Sequence, residues 1–191
     1  MTSKNQYFFN LPELSTPRLL LRKIYLSDAE NIFEYASKEE ITKYLSWNHH
    51  QTIEDSKQFI YMVTQNYMDG DPSSWAIYHK EDQKMIGTIG FVAYNSVHKR
   101  GEVGYALSKK YWRQGITSEA LQAVLEFGFS MLNLSRIEAR CYPENTASEK
   151  LLLKNNFQFE GTLRKHIIIN DIPIDMKMFS MLDTEYKKRP E

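Results

Sequence analysis

The sequence of 191 residues has few of the features that mark several protein classes. It holds one cysteine, Cys141, which excludes an intramolecular disulfide and a zinc site built from several cysteines. Its 24 basic side chains equal its 24 acidic ones, which argues against a dedicated nucleic-acid-binding or membrane-surface protein. No apolar run approaches the roughly 20 residues that span a bilayer, and the first residues show no apolar signal core. We therefore expect one soluble, cytoplasmic domain, with residues 1–16 as a leader across its surface.

Two well-known nucleotide-binding motifs are also missing. The sequence contains no G-x-x-x-x-G-K-[ST], which disfavours a nucleoside triphosphatase, and no G-x-G-x-x-G opens a helix after a strand. The histidines form no metal-binding pattern, because His49 and His50 are adjacent and the other three are isolated from one another. We expect no metal site.

Hydrophobic periodicity predicts a mixed α/β domain. The predicted helices are 29–36, 38–45, 52–68, 116–131 and 145–154. The predicted strands are 18–24, 75–79, 85–94, 102–107, 136–142, 157–169 and 172–181, with the last two joined at Asn170-Asp171. A crossover helix between strands 102–107 and 136–142 makes that pair parallel, whereas the hairpins are antiparallel. Alternation along the strand 136–142 places Cys141 on one face with Ile137 and Ala139, which predicts a buried structural thiol.

The stretch from Glu102 to Met131 organises the chain as a strand, a glycine turn and an amphipathic helix. Gly115 allows a tight turn before the helix. The first N–H groups of a helix have no partner within it, and together with the helix dipole they suit a phosphate or pyrophosphate. A packing turn that binds nothing is the alternative at this stage.

Several blocks of sequence, in a fixed order, carry a family resemblance. They are E-V-G-Y-A-L, Y-W-R-Q-G-I-T-S-E-A-L, N-T-A-S-E-K-L-L-L-K-N-N-F and E-G-T-L-R, preceded by T-P-R-L-L-L-R-K. Together they resemble a GNAT-type N-acetyltransferase, and more narrowly the RimJ/RimL-like branch that includes acetyltransferases of ribosomal-protein N-termini. The resemblance covers nearly the whole chain. It implies a mostly antiparallel twisted sheet with one parallel, splayed strand pair, helices on both faces, and acetyl-CoA as co-substrate.

The resemblance also implies a cofactor site. The family's pyrophosphate motif, Gln/Arg-x-x-Gly-x-Gly/Ala, matches residues 112–117, although Trp112 and Thr117 depart from it. The pantetheine arm would lie between the splayed strands and pair with the backbone there. The implied cofactor-binding residues are Tyr105, Ala106, Leu107, Arg113, Gln114, Gly115, Ile116, Thr117, Ser118 and Asn145. For Asn145, an N-cap role is the alternative and is compatible with cofactor binding.

Direct attack by an amine requires a proton acceptor, an oxyanion donor and a stabilised leaving thiolate. Glu102 is the candidate base, acting through water, because alternation places it beside the small residues Gly104 and Ala106. Strand N–H groups near Tyr105 are the candidate oxyanion donors, and one such donor is worth about 3 kcal/mol. The family often uses a helix tyrosine on the leaving group, but Leu152 stands at that position, so Ser148 becomes the candidate. A solvated glutamate and a surface serine are the alternative interpretations.

Three further side chains are candidates for the acceptor pocket. Trp47 and His49 or His50 lie in an aromatic and polar loop, and His166 lies in the closing hairpin. Surface or packing roles are the alternatives for each.

The resulting prediction is an acetyl-CoA-dependent N-acetyltransferase acting in a ternary complex, with a protein N-terminal α-amine as the favoured acceptor. An α-amine has a pKa of about 8, against about 10.4 for lysine, and therefore demands less of the base. One alternative is a small amine such as a polyamine, an amino sugar or an amino-acid derivative. A second is a non-catalytic acetyl-CoA sensor, and a homodimer remains open.

Overall fold

An eight-stranded sheet runs through the computed structural model, which describes residues 5–169 and 171–186. Residues 1–4 of the predicted leader and Asn170 of the predicted turn lie outside the described residues. The strands are β1 (Leu14–Ser15), β2 (Leu19–Arg22), β3 (Ser74–His79), β4 (Lys84–Asn95), β5 (Arg100–Leu107), β6 (Arg136–Cys141), β7 (Gln158–Ile169) and β8 (Ile172–Leu182). Their order is β1-β2-β3-β4-β5-β6-β8-β7, and only β5 and β6 pair in parallel among these strands.

Five of the helices in the described ranges agree with the predicted amphipathic segments, with differences at their ends, whereas the first and the last helix were not predicted. The helices are α1 (Gln6–Phe9), α2 (Ala29–Ala36), α3 (Glu39–Thr42), α4 (Ile53–Asp69), α5 (Ile116–Glu126), α6 (Thr146–Lys154) and α7 (Asp183–Tyr186). A capping box of Thr52 and Asp55 opens α4, and left-handed Gly70 closes it. Helix α5 continues into a π-helical turn, Phe127–Met131. No helix in the described ranges is long and apolar enough to cross a membrane.

The described part of the predicted leader, residues 5–16, has two buried side chains, while its other residues are exposed or half-buried. Phe8 on α1 is fully buried and contacts the rings of Phe91 and Tyr94, and Leu11 is also buried. The following residues form β1, which pairs antiparallel with β2. The segment is polar overall, but these two apolar side chains remove enough surface from water to fix it against the core.

The π-helical turn that follows α5 lies close to one face of the sheet. A Cβ atom on Gly128 would stand 2.6 Å from Ile137 Cδ1 and 2.9 Å from Phe91 Cζ, so the close approach requires glycine. Along β6, Ile137, Ala139 and Cys141 are buried on this face, as the alternation predicts. The other face of β5 and β6 carries Glu102 and Arg140, so the two faces differ in chemistry.

Candidate functional site

The two parallel strands β5 and β6 separate part of the way along their length. Their pairing covers only three residue pairs, from Arg100 with Arg136 to Glu102 with Glu138. Residues 103–107 of β5 keep their partners on β4, and residues 139–141 of β6 keep theirs on β8. The two strand edges therefore face each other across a cleft without ladder bonds between them, which leaves main-chain groups available to an extended ligand.

At the end of β5, the cleft leads to the turn before α5. Gly115 has φ +77°, a left-handed conformation that favours glycine. The first hydrogen bond within the helix runs from the N–H of Glu119 to the carbonyl of Gly115, so the N–H groups of residues 116–118 have no acceptor within the helix. Arg113 and Gln114 are exposed in the same turn. The Trp112 indole N–H donates to the Leu107 carbonyl at 2.9 Å, which holds the segment between β5 and α5 against the end of β5.

Arg18 reaches this turn from the start of β2, a contact that the sequence did not predict. Its guanidinium donates to the carbonyl of Gln114 at 2.8 Å and to Glu119 at 2.6 Å. Arginine is well suited to bind phosphate, and this one lies beside the unpaired amides. The Ser118 hydroxyl, by contrast, accepts a bond from Asn155 and ties α5 to the end of α6.

Ser148 lies beside the cleft on α6 and contacts both splayed strands. Its hydroxyl is 2.7 Å from the Tyr105 hydroxyl, and its N–H donates to the side chain of Asn145, which caps the helix. Burial raises the pKa of Tyr105 above its ordinary value, so the phenol keeps its proton at neutral pH. Leu152 is fully buried one turn later. The hydroxyl pair Tyr105–Ser148 thus occupies the region where a helix tyrosine was expected.

Cys141 lies on β6 close to Ser148. The thiol is 3% exposed, and burial raises its pKa to about 11, with a hydrogen bond to Ser148 acting in the opposite direction. Because the thiolate is the nucleophile, we expect native protein to resist alkylation by iodoacetamide at pH 8, and protein in guanidinium chloride to react fully. Mass spectrometry of the tryptic peptide measures both. Rapid alkylation of native protein would contradict a structural thiol.

Glu102 forms a two-point ion pair with Arg140 on the face of β5 and β6 that lies opposite the face of Cys141. The guanidinium donates from Nε and Nη2 to the two carboxylate oxygens at 2.7 and 2.6 Å. The two side chains are 12% and 25% exposed, and Nη1 of Arg140 contacts Nε2 of His166. Each carboxylate oxygen retains a second lone pair, so Glu102 can still accept a hydrogen bond from water. The arrangement holds this carboxylate in one place beside the cleft.

A cavity of about 500 Å³ opens beside Glu102, and we call it the aromatic cavity. Trp47 and His50 lie in its wall with ring centroids 5.2 Å apart. His50 Nδ1 is 2.8 Å from the Ser56 hydroxyl, and burial lowers the pKa of His50, so the imidazole is neutral at pH 7. His49 does not line this cavity. Of the two adjacent histidines, it is therefore His50 that faces it.

A smaller cavity of about 340 Å³, the polar cavity, lies on the other side of the ion pair. Glu102 and Arg140 line both cavities, whereas Arg100, Glu138 and His166 line only the polar one. His166 and Trp47, both candidates for the acceptor pocket, therefore line different cavities, and Arg140 lines both of them. Space for a ligand therefore extends from Glu102 both into the aromatic cavity and into the polar cavity.

The structure thus brings most of the predicted site residues to one cleft. Glu102, Tyr105 and Ala106 border the aromatic cavity, and Ser148 and Asn145 stand at the adjoining end of α6. Arg18, Arg140 and the Tyr105 hydroxyl were missed. Within the described ranges, no group of three His, Cys, Asp or Glu side chains is arranged to hold a metal ion.

Comparisons with known proteins agree on one relationship. Residues 18–158 match the Acetyltransferase (GNAT) domain family. The chain is 39% identical over 171 residues to the uncharacterized N-acetyltransferase YoaA of Bacillus subtilis, covering 90% of this chain and 97% of that protein. It is 30% identical over 132 residues to the ribosomal-protein-serine acetyltransferase of Escherichia coli, covering 69% and 73%. A GNAT-family acetyltransferase structure from Bacillus anthracis superposes with a TM-score of 0.81 at 30% identity, covering 91% of this chain and all of that one.

Proposed function

The chain belongs to the GNAT family of acetyl-CoA-dependent N-acetyltransferases, and we propose from this premise that its acceptor is a protein N-terminal α-amine. The observation that carries the proposal is the meeting of two cavities at the Glu102–Arg140 pair. An acceptor whose amine lies at Glu102 has space for a side chain on one side and for a continuing chain on the other. A compact amine fills one cavity and leaves the second unused.

The cleft between β5 and β6 suits acetyl-CoA. Its unpaired strand edges offer main-chain partners to an extended pantetheine arm, and the free N–H groups of residues 116–118 offer donors to a pyrophosphate. Arg18 adds a guanidinium at the same turn. We assign these groups to cofactor binding, with Arg113 and Gln114 at the exposed edge. The co-substrate supplies an acetyl group on a thioester.

On the acceptor side, we assign the proton-accepting role to Glu102 and a positioning role to Arg140. The ion pair fixes the carboxylate and leaves lone pairs on both oxygens for water. Gly104 and Ala106 on the same strand face leave room for a water beside the carboxylate. An α-amine has a pKa of about 8, so at neutral pH much of it carries an extra proton. A water hydrogen-bonded to Glu102 can pass that proton from the amine to the carboxylate.

On the cofactor side, Ser148 donates to the leaving sulfur, and Tyr105 orients Ser148. We assign the buried, protonated phenol as donor to the serine oxygen, so that the serine hydrogen, which otherwise bonds to the Cys141 thiol, can turn to the cofactor's sulfur. A thiol has a pKa of about 8.5, so hydrogen bonding alone is enough to stabilise the departing thiolate. Tyr105 acts here through Ser148 and is a positioning residue.

Removing the Tyr105 hydroxyl tests this arrangement. We expect Tyr105→Phe to lower kcat about fivefold without changing KM for acetyl-CoA, because one hydrogen bond is worth about 1 kcal/mol. In a Ser148→Ala background, the same substitution should have no further effect. Steady-state kinetics on the two single variants and the double variant measure the coupling. Independent, multiplicative losses would contradict a role through Ser148.

The E. coli relative named as a ribosomal-protein-serine acetyltransferase supports a protein acceptor. The decisive experiment is an acetyl-transfer screen that follows free thiol release with N-terminal peptides and with small amines. We expect faster turnover with peptides. Faster turnover with compact amines would favour the small-amine alternative. Tight acetyl-CoA binding without turnover on any amine would favour a sensor.

A further inference from the structure

The walls of the aromatic cavity carry almost no net charge. Among the described residues that line it, only Glu102 and Arg140 are charged at pH 7, and they are paired with each other. His50 is neutral there, because burial lowers its pKa. A cation that enters the cavity therefore meets no free carboxylate, and leaving water without such a partner is costly.

Large apolar and aromatic side chains form most of the same walls. Loop and helix residues in these walls are Tyr44, Trp47, Phe59 and Met62, and the walls also include Tyr142, which directly follows β6, and Met176 on β8. Tyr44 and Tyr142 contact each other with centroids 5.7 Å apart, which joins these two parts of the walls. Walls of this kind stabilise an apolar or aromatic group by removing its surface from water.

The ion pair at the end of the cavity offers both kinds of hydrogen-bonding group. Glu102 retains lone pairs that can accept N–H bonds, and the guanidinium of Arg140 has five N–H groups, of which three contact Glu102 and His166. An α-amine next to a carbonyl group presents the complementary set, with donors on nitrogen and an acceptor on oxygen. A simple alkylamine presents only the donors.

We propose that the acceptor is the α-amine of an aminoacyl group with an apolar or aromatic side chain, and that this side chain occupies the aromatic cavity. This inference rests on the proposed function and specifies its substrate class. A peptide N-terminus and a small aminoacyl compound share this chemistry. Polyamines, which carry several positive charges, and amino sugars, which carry at least one charge and little apolar surface, are discriminated against.

Tripeptide amides Xaa-Ala-Ala test the preference directly. We expect kcat/KM for Phe-Ala-Ala to exceed that for Lys-Ala-Ala and Asp-Ala-Ala by about tenfold or more, the range in which an apolar pocket discriminates. Phenylalaninamide separates the two sources of the aminoacyl group: similar rates point to a small compound, and a clear preference for the tripeptide points to a peptide. Preference for Lys-Ala-Ala or for spermidine would overturn the inference.

A matched pair of variants tests the role of the cavity wall. Met62 and Met68 lie on α4 and are 55% and 71% exposed, but only Met62 lines the cavity. We expect Met62→Glu to reduce the advantage of Phe-Ala-Ala over Lys-Ala-Ala about fivefold, because the new carboxylate can pair with the lysine amine at the exposed edge. Met68→Glu adds the same charge to the same helix and should leave the ratio unchanged. Equal responses of the two variants would contradict recognition by the cavity.

Calorimetry separates this inference from the proposed function. The enzyme loaded with CoA is titrated with Phe-Ala-Ala amide and with spermidine, which measures binding without turnover. If no amine is acetylated, the proposed function fails, and the titration still decides the inference. Tighter binding of the phenylalanine peptide supports it, whereas tighter binding of spermidine, or no binding of the peptide, overturns it.

Discussion

Glu102→Gln should lower kcat about a hundredfold and leave the affinity for acetyl-CoA unchanged. A positioned base typically contributes this much or more, and glutamine keeps the volume of the side chain but cannot accept a proton. The Glu102 carboxylate lies beside the cleft, on the opposite face of β5 from the Tyr105 side chain. The cofactor's sulfur is assigned to the Tyr105 side, next to Ser148. Initial rates with a peptide acceptor and calorimetry with acetyl-CoA measure the two quantities separately.

The control for this variant is Glu138→Gln, because Glu138 lies next to Glu102 across the strand pair. Its side chain is 14% exposed, against 12% for Glu102, and it is also bound to an arginine, Arg136, at 2.8 Å. Removing the Glu138 charge therefore tests whether the loss of any partly buried ion pair on this face lowers kcat. Because Glu138 lines the polar cavity, we expect Glu138→Gln to change only the KM for the peptide acceptor and to keep a normal kcat at saturating acceptor. A hundredfold loss in both variants would show that the face needs its ion pairs for folding.

The loss in Glu102→Gln should also depend on pH. Below pH 8, an α-amine acceptor is mostly protonated and needs a base, whereas above pH 8 it is increasingly neutral in solution. The ratio of wild-type to variant kcat/KM should therefore fall as the pH rises past 8. A ratio that stays constant from pH 6.5 to 9.5 would argue that Glu102 has a structural role only.

Gly115→Val should weaken acetyl-CoA binding about 30-fold. A β-branched residue at φ +77° costs ~2 kcal/mol, so the turn relaxes and the N–H groups of residues 116–118 change direction. The space around the glycine is open, because the nearest atom, Nη2 of Arg18, lies 3.5 Å from where a Cβ would stand, so the effect is conformational rather than steric. Calorimetry on the purified variant measures the affinity.

Two comparisons show whether that loss is specific. Gly161 on β7 also has a positive φ, +148°, with no atom within 4 Å of a Cβ, so Gly161→Val imposes backbone strain away from the turn. It should lower the melting temperature without changing the affinity. Ser148→Ala should reduce affinity less than Gly115→Val. Equal affinities of Gly115→Val and Ser148→Ala would contradict the assignment of the pyrophosphate to the turn.

Local patterns in the sequence predicted most of the fold. The capping box at Thr52 and the glycine turn at Gly115 are properties of adjacent residues, and both are present in the structure. Alternation on β6 likewise placed Cys141 on the buried face. The burial of Phe8 was missed, because its partners Phe91 and Tyr94 are more than 80 residues away along the chain.

The candidate site was predicted less completely, for the same physical reason. Glu102 and Ser148 were named from the family resemblance together with their places in one strand and one helix, but their hydrogen-bonding partners come from elsewhere in the chain. Arg140 is 38 positions from Glu102, and Tyr105 is 43 positions from Ser148. Arg18 reaches the Gly115 turn across 96 positions. Pairing at such separations depends on strand register, which periodicity does not specify.

A crystal structure of the complex with acetyl-CoA tests the central claim most directly. We predict pyrophosphate oxygens on the N–H groups of residues 116–118 and the pantetheine arm between residues 103–107 and 139–141, with the sulfur near Ser148. An empty cleft at saturating acetyl-CoA, or a ligand bound elsewhere on the protein, would contradict the account.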